Sequence, residues 1–182
     1  MFPDAQLIVL DRDGVINTDS REFIKSPNEW LPIAGSFEAM ARLSQAGYKI
    51  VVATNQSGIS RGLFQQSDLD AIHAKMRNTL KLAGGHIDGI FVCPHGPLDE
   101  CECRKPKAGL LWQISRTFNI LPEKIISVGD SMRDYQAAKT FGCKFILVMT
   151  GNGKRTLATA PELKEKIFVT KDLAAAADLI LT

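Results

Sequence analysis

The sequence has 182 residues, of which 45% are hydrophobic and 23% charged, and its formal net charge is +2 at pH 7. This length suits one folded domain with a full apolar core, so we expect a single domain over residues 1–182. The small net charge and scattered basic residues exclude the basic stripe typical of nucleic-acid-binding proteins, and no apolar stretch approaches the roughly 20 residues of a membrane span.

Short apolar segments alternate with amphipathic segments along most of the chain. Strands are predicted at about 6–11, 49–54, 88–93, 124–129 and 144–148. Helices are predicted near 35–46, 67–83, 107–118 and 132–142. This alternation predicts an α/β fold with a central parallel sheet and helices on both faces. Because ligands bind at the carboxyl ends of the strands in such sheets, the residues that follow each strand are the first candidates for a functional site.

The first predicted strand delivers two carboxylates to its end. The apolar run 7–10 is followed by Asp11, Asp13 and Gly14. Residues two apart in a strand share a face, and neighbouring carboxylates repel each other unless a cation or a proton lies between them. An acidic turn without a function is the simpler alternative, because Asp-Gly turns are common. The pattern favours a divalent metal site, and the other strand ends must decide between the two interpretations.

Three further segments carry groups that suit a phosphate ester. The second strand leads into hydroxyl and amide side chains, which are Thr54, Asn55, Gln56 and Ser57. A third acid, Asp130, follows a glycine at the end of the fourth strand. Arg104 and Lys105 place two cations on a loop, where they could neutralise a phosphoryl group. Four separate segments therefore predict one metal-assisted phosphoryl-transfer site.

Three of the four cysteines and one of the three histidines lie between residues 93 and 103. They are Cys93, His95, Cys101 and Cys103. Three thiolates and one imidazole form a closed tetrahedral Zn²⁺ shell, as in structural zinc sites. A disulfide or redox pair is the competing interpretation, but cysteines separated by a single residue are poorly placed to bridge each other. We therefore expect structural zinc, which would stiffen the loop that carries Arg104 and Lys105.

The order and spacing of Asp11-x-Asp13, Thr54, Lys105 and Asp130-x-x-x-Asp134 resemble the haloacid-dehalogenase (HAD) superfamily of phosphatases. Within it the chain closely resembles the heptose bisphosphate phosphatases, through DRDGVIN at 11–17, ATNQSGISRG at 53–62 and CPHGPLDECECRKP at 93–106. The resemblance extends from about Leu7 to Gly142. It implies a three-layer Rossmann-like fold with no cap domain, a zinc loop and a short flap, which segment 17–32 would form.

The resemblance also implies a role for each candidate residue. Asp11 would be the nucleophile that forms an aspartyl-phosphate, and Asp13 the general acid and base. Thr54, the Asn55 amide and Lys105 would surround the phosphoryl oxygens. Mg²⁺ would bind Asp11, the backbone carbonyl of Asp13 and Asp130, while Asp134 would lie outside the ligand set. The implied substrate-binding residues are Asp19, Ser20, Arg21, Glu22, Thr54, Asn55, Gln56, Ser57, Arg104 and Lys105.

The implied substrate is a small phosphorylated sugar, a heptose 1,7-bisphosphate that loses its 7-phosphate on the path to nucleotide-activated heptose for bacterial surface polysaccharide. The alternative substrate is histidinol phosphate, since its phosphatases share the nucleophile motif, the zinc loop and the RKP sequence at 104–106. The sequence of segment 15–30 favours the heptose over histidinol phosphate, because the flap would contact the part of the substrate beyond the scissile phosphate. One departure from the resembled family concerns Ser131, where some members carry a lysine that contacts the substrate.

Alternatives outside this enzyme class fit less well. A signalling receiver domain is also a parallel α/β protein that is phosphorylated on aspartate. It has no acid two residues after the acceptor, whereas this chain has Asp13 two residues after Asp11. A binding module without activity would be expected to lack at least one catalytic residue.

The N-terminal residues lack a cationic secretory signal, which favours a cytoplasmic protein. No apolar helix face requires a partner, so we expect a monomer. The aromatic residues Trp112 and Phe118, on the helix predicted after Lys107, are expected to lie in the core.

Overall fold

The computed structural model describes residues 2–182. Its strands are β1 (Leu7–Leu10), β2 (Lys49–Asn55), β3 (Gly89–Cys93), β4 (Ile125–Gly129), β5 (Lys144–Val148) and β6 (Phe168–Thr170). Its helices are α1 (Ser36–Gln45), α2 (Gln66–Leu82), α3 (Gly109–Phe118), α4 (Met132–Phe141), α5 (Gly153–Thr159) and α6 (Leu173–Leu181). All strand pairs are parallel and the sheet order is β3-β2-β1-β4-β5-β6. The predicted parallel sheet is confirmed.

Alternate residues of the central strands pack against different helices. Ile8 and Leu10 join the apolar core formed with α1, α2 and α6. Leu7 and Val9 point to the other face and join the core formed with α3 and α4. This period of two means that β1 is buried on both faces, as expected for a parallel sheet between two helical layers. The three-layer architecture predicted from the sequence is thereby confirmed.

The order in which successive strands are added to the sheet reverses at β1. β2 and β3 lie on one side of β1, whereas β4, β5 and β6 lie on the other. Leu10 is in register with Val52 of β2 and with Val128 of β4, so the three strands end at the same edge of the sheet. This reversal leaves a crevice at the carboxyl ends of β1, β2 and β4. The ends of these strands and the turns after them contain Asp11, Asp13, Thr54 and Asp130, whereas Lys105 lies on the loop after β3.

The segment between β1 and α1 forms a short loop over this edge, as the flap interpretation predicts. Its base is closed by a hydrogen bond from the Thr18 N–H to the Leu31 carbonyl, 2.9 Å long. Trp30 is fully buried and packs edge-on against Phe37, with ring centroids 5.8 Å apart. The buried Trp30 anchors the loop to α1, while residues 19–22 remain exposed at its tip.

The structure adds elements after residue 148 that the sequence analysis did not predict, namely α5, β6 and α6. The prediction for Trp112 was wrong: this residue is 44% exposed, and its ring packs edge-on against Phe141 at a centroid distance of 4.8 Å. Phe118 is partly buried against Phe91, as predicted.

Within residues 2–182, none of the helices combines the length and apolarity needed to cross a lipid bilayer.

Candidate active site

Asp11 lies on the floor of a cavity of ≈ 150 Å³ at the carboxyl ends of the central strands. Most predicted site residues line this cavity: Asp11, Asp13, Asp19, Ser20, Thr54, Asn55, Gln56, Ser57, Arg104, Lys105, Asp130 and Asp134. Arg21 and Glu22 are exposed and do not line it, so their contact with a substrate stays a prediction. The lining residues that the sequence analysis did not assign to the site are Arg12, Phe23, Ile24, Ser131, Arg133 and Asn152.

Three carboxylates converge beneath the cavity. One oxygen from each of Asp11, Asp130 and Asp134 lies within 4.8 Å of the other two. Burial raises the pKa of Asp11 to about 8, because the attraction of Lys105 only partly opposes it and the other carboxylates add to the rise. Burial and the Asp134 carboxylate likewise raise the pKa of Asp130 to about 6. The cluster therefore gathers oxygen donors whose ionised forms need a nearby cation, which fits a hard divalent cation such as Mg²⁺.

Two glycines allow the backbone to approach the Asp130 carboxylate. Gly14 has φ +84° and Gly151 has φ +54°, and a Cβ built on either residue would collide with an Asp130 carboxylate oxygen. Asp130 is 2% exposed and accepts a hydrogen bond from the Asn152 N–H at 2.7 Å. The Thr150 hydroxyl donates to the Gly14 carbonyl at 2.6 Å and joins the two loops. The glycines therefore fix the position of one predicted metal ligand relative to β1.

Lys105 is the cation at the centre of the cluster. Its Nζ lies 2.9 Å from Asp11 Oδ1 and 2.6 Å from Asp134 Oδ1, and it also donates to the Ala53 carbonyl at 2.9 Å. Burial would lower the pKa of Lys105, but the two carboxylates raise it above its usual value. Burial alone would raise the pKa of Asp134, yet Lys105 and the Ser131 hydroxyl hold it below its usual range. Lys105 is therefore charged and held between the two acids.

The side-chain amide of Asn55 holds the Lys105 backbone in place. Asn55 Nδ2 donates to the Lys105 carbonyl, Asn55 Oδ1 accepts from the Lys105 N–H, and both distances are 3.1 Å. This pair of hydrogen bonds connects the end of β2 to the loop before α3. Thr54 Oγ1, beside it, accepts from the Gln56 side-chain amide at 2.8 Å. The Asn55 side chain thus acts on the lysine, a contact that the sequence pattern did not predict.

The Asp13 carboxylate is enclosed by hydrogen-bond donors. Arg12 Nη2 lies 2.9 and 3.0 Å from its two oxygens, and the side-chain amides of Asn17 and Gln56 donate at 2.9 and 2.8 Å. Burial would raise the pKa of Asp13, but the Arg12 guanidinium and these hydrogen bonds lower it below the usual value. Arg12 itself is 1% exposed. The sequence analysis missed Arg12, because an arginine between two acids usually lies on the surface.

The four predicted zinc ligands converge in the loop after β3. Cys93 Sγ lies 3.8 Å from Cys101 Sγ, and His95 Nδ1 lies 3.7 Å from Cys93 Sγ and 3.2 Å from Cys103 Sγ. A disulfide would need sulfurs about 2.05 Å apart, and all four cysteines are free. Sulfurs bound to one Zn²⁺ at about 2.3 Å would be about 3.8 Å apart across a tetrahedral edge. The donor set and spacing therefore fit tetrahedral zinc.

The cysteine cluster is joined to the cavity through the residues that follow it. Arg104 Nη1 donates to the His95 carbonyl at 3.0 Å, so the orientation of this guanidinium depends on the loop. Lys107 Nζ also contacts this loop, donating to the Cys101 carbonyl at 2.8 Å. Because Lys105 lies between these two residues, disorder in the loop would displace the central cation of the carboxylate cluster.

The chain is similar to named phosphatases over nearly its whole length. A family model described as HAD-hydrolase-like matches residues 102–176. The D-glycero-beta-D-manno-heptose-1,7-bisphosphate 7-phosphatase of Bordetella bronchiseptica is 52% identical over 176 residues, which cover 97% of this chain and 98% of the relative. The enzyme of that name from Pseudomonas aeruginosa is 49% identical over 96% of this chain and 97% of its own.

Solved structures agree with these sequence comparisons. The crystal structure of the D,D-heptose 1,7-bisphosphate phosphatase from B. bronchiseptica, complexed with magnesium and phosphate, has a TM-score of 0.93 and covers 97% of this chain and 98% of its own, at 52% identity. The corresponding structure from Burkholderia thailandensis has a TM-score of 0.77 at 44% identity, covering 97% of this chain and 99% of its own. The chain belongs to the family of D-glycero-beta-D-manno-heptose-1,7-bisphosphate 7-phosphatases, a group of HAD-like hydrolases.

Proposed function

We propose that this protein is a Mg²⁺-dependent phosphatase that removes the 7-phosphate of D-glycero-beta-D-manno-heptose 1,7-bisphosphate through an aspartyl-phosphate. The observation that carries the proposal is the carboxylate of Asp11, which lies at the cavity floor, 2.9 Å from the Lys105 ammonium and within 4.8 Å of the carboxylates of Asp130 and Asp134. Similarity over nearly the whole chain to phosphatases named for this substrate supports the substrate assignment. The magnesium and phosphate in the related crystal structure support the metal and the reaction class.

Charge neutralisation is the main requirement of the first step. An Asp11 carboxylate oxygen attacks phosphorus while the sugar oxygen leaves, and both reactants are anions that repel each other. Lys105 faces the attacking carboxylate and offsets part of this repulsion. When bound by Asp11, the Asp13 carbonyl and Asp130, Mg²⁺ would supply further positive charge to the phosphoryl oxygens. Thr54 Oγ1 would donate to the same group.

Asp13 would carry the proton in both steps. It protonates the leaving sugar oxygen and then takes a proton from the water that hydrolyses the aspartyl-phosphate. The donors around Asp13 favour its carboxylate form, which is the form needed for the second step. A phosphate dianion nearby raises the pKa of the carboxyl group and so favours the protonated form before the first step. Substrate binding thus favours the protonated form of Asp13, and proton transfer to the departing sugar leaves the carboxylate that the second step needs.

We predict that the enzyme prefers the heptose 1,7-bisphosphate over histidinol phosphate. Asp19 and Ser20 of the flap line the cavity and would contact the part of a substrate beyond the scissile phosphate. The measurement is Mg²⁺-dependent phosphate release from the β and α anomers of the bisphosphate and from histidinol phosphate under identical conditions. The β anomer is expected to give the highest kcat/KM. A higher kcat/KM for histidinol phosphate would overturn the substrate assignment while leaving the reaction class intact.

We also propose that Cys93, His95, Cys101 and Cys103 bind structural zinc. The Cys101→Ser variant is expected to lose zinc and, by loosening the loop that carries Lys105, to lower kcat/KM by about 10- to 100-fold, the loss typical of small displacements of a positioned group. Cys143→Ser is the matched control, because Cys143 lies outside the cluster. Metal analysis and kinetics on both variants check the prediction. A zinc-free Cys101→Ser protein with unchanged kinetics would contradict the role of the loop.

The remaining features of the proposal concern the whole chain. The buried apolar clusters all include residues of the one sheet, which supports a single domain over residues 1–182. Thiolate zinc sites persist where thiols stay reduced, as in the cytoplasm, and we propose that compartment. A monomer suffices for the proposed chemistry, because every lining residue of the cavity comes from one chain.

A further inference from the structure

Asn152 lies between the carboxylate cluster and the tip of the flap. It is the residue before α5, and it lines the catalytic cavity. Its side-chain Nδ2 lies 3.1 Å from Asp19 Oδ2 and 3.2 Å from Asp130 Oδ2. Its backbone N–H donates to the same Asp130 oxygen at 2.7 Å. Asn152 therefore connects a residue of the flap directly to a predicted metal ligand.

Both side-chain contacts of Asn152 require a hydrogen-bond donor at this position. An ionised carboxylate only accepts hydrogen bonds, whereas a side-chain NH₂ group carries two hydrogens. One hydrogen can therefore point to Asp19 while the other points to Asp130. Aspartate at this position could donate to neither acid, and serine could donate to only one of them at a time. The asparagine is thus matched to the two carboxylates that it joins.

The Asp19 and Asp130 carboxylates are close enough to repel each other. Burial and the Asp134 carboxylate are the largest causes that raise the pKa of Asp130 to about 6, and the Asp19 carboxylate adds to the rise. Because Asp19 is exposed, little packing holds it against this repulsion. A cation bound to Asp130 would offset the repulsion. Metal binding should therefore favour the flap position in which Asp19 reaches Asn152.

The other contacts of the flap tip are made within the flap or to the loop after β2. Asp19 Oδ1 accepts a hydrogen bond from the Ser20 N–H at 2.8 Å, and the Phe23 N–H donates to the Ser20 carbonyl at 3.3 Å. The Phe23 ring faces the guanidinium of Arg61 at 5.6 Å from its centroid. These contacts shape the tip of the flap, whereas Asn152 links the tip to a predicted metal ligand.

We propose that Asn152 is a positioning residue that couples Mg²⁺ binding at Asp130 to closure of the flap over the cavity. The inference rests on the proposed function, because it requires Mg²⁺ at Asp130. Coupling between two sites is reciprocal, so bound Mg²⁺ holds the flap closed and the closed flap strengthens Mg²⁺ binding. Asn152 acts through Asp130 and Asp19, which its amide group holds together.

The first test is hydrogen exchange of segment 18–24 in the full-length protein, without Mg²⁺ and with Mg²⁺ at saturation. In the wild type, Mg²⁺ is expected to slow exchange of the Ser20 and Phe23 N–H groups by about 2- to 10-fold, the effect of one additional hydrogen bond. Asn152→Ala and Asn152→Asp should both lose this slowing, because neither side chain can donate to Asp19. Asn78→Ala is the matched control, since Asn78 is an exposed residue of α2 outside the cavity, and it should keep the slowing.

Calorimetric titration with Mg²⁺ supplies the second readout and the saturating concentration for each protein. We expect Asn152→Ala to raise the Mg²⁺ dissociation constant by about 2- to 10-fold, again the effect of one hydrogen bond. Wild-type exchange that is indifferent to bound Mg²⁺, full slowing in both Asn152 variants, or an unchanged dissociation constant in Asn152→Ala would overturn the coupling and leave the proposed function intact. A wild-type protein that does not bind Mg²⁺ would overturn the metal requirement of the proposed function and the coupling with it.

Discussion

The Asp11→Asn variant is expected to fold normally and to lose phosphate release by a factor on the order of 10⁶, the scale seen when the nucleophile of a covalent mechanism is removed. The asparagine amide has the same shape as the carboxylate but cannot displace the sugar oxygen from phosphorus. Burial raises the pKa of Asp11 to about 8, so a neutral amide replaces a group that already resists ionisation in the metal-free fold. The fold should therefore tolerate the change.

The measurement is phosphate release from the heptose bisphosphate, with the mass of the intact protein checked to exclude deamidation back to aspartate. Asp70→Asn is the control, because this exposed acid on α2 lies outside the cavity and should leave the rate unchanged. Rapid quenching of the wild type should trap a phosphorylated protein, whereas the Asp11→Asn protein should stay unmodified. Sustained turnover in a verified asparagine variant would refute the covalent mechanism.

Replacing Lys105 by methionine should have the largest effect on stability of any single change at the site. Methionine fills a similar volume, but Asp11 and Asp134 would remain buried without the cation that now lies 2.9 and 2.6 Å from them. Removing one partner of a buried ion pair typically costs about 3–5 kcal/mol. We therefore expect the free energy of unfolding to fall by about this amount, and activity to be lost as well.

Urea unfolding of Lys105→Met and of Lys107→Met separates this effect from the general loss of a positive charge. Lys107 is two residues away and exposed, and it pairs with the Glu102 carboxylate and the Cys101 carbonyl at the surface, so its replacement should not measurably change stability. Combining Lys105→Met with Asp11→Asn should restore part of the lost stability, because an amide then replaces one of the two carboxyl groups that have lost their cation. Equal midpoints for the two single lysine variants would show that Lys105 does not hold the carboxylates together.

The carboxyl ends of the central strands could be predicted because several physical signals coincide there. Apolar runs mark β1, β2 and β4, and each is followed by residues whose charge or polarity a strand end alone would not need. The parallel arrangement then brings Asp11 and Asp130 together regardless of loop details. The spacing of the cysteines also predicts that they cluster in the loop after β3, because few structures other than a metal site require three thiols and an imidazole so close in sequence.

Other parts of the structure left no such signal. Arg12 is buried because it pairs with Asp13, and a single sequence cannot distinguish this arginine from a solvated one. The edge strand β6 has only three residues, too few to show a period of two, and it follows a 3₁₀ turn at Pro161–Glu165. Trp112 is apolar like its buried neighbours Leu110, Leu111 and Ile114 on α3, but it lies off the buried face of the helix and is 44% exposed.

The order of strands in the sheet also bears on how the protein is made. β1 comes first in the sequence and lies in the centre, where residue 7 pairs with residue 49 on one side and with residue 125 on the other. A ribosome-bound chain therefore exposes one hydrogen-bonding edge of its most apolar strand until β4 has been synthesised. Such edges readily pair with other chains. The β4 side of β1 can therefore pair with another chain until residues 125–128 have been synthesised and take that place.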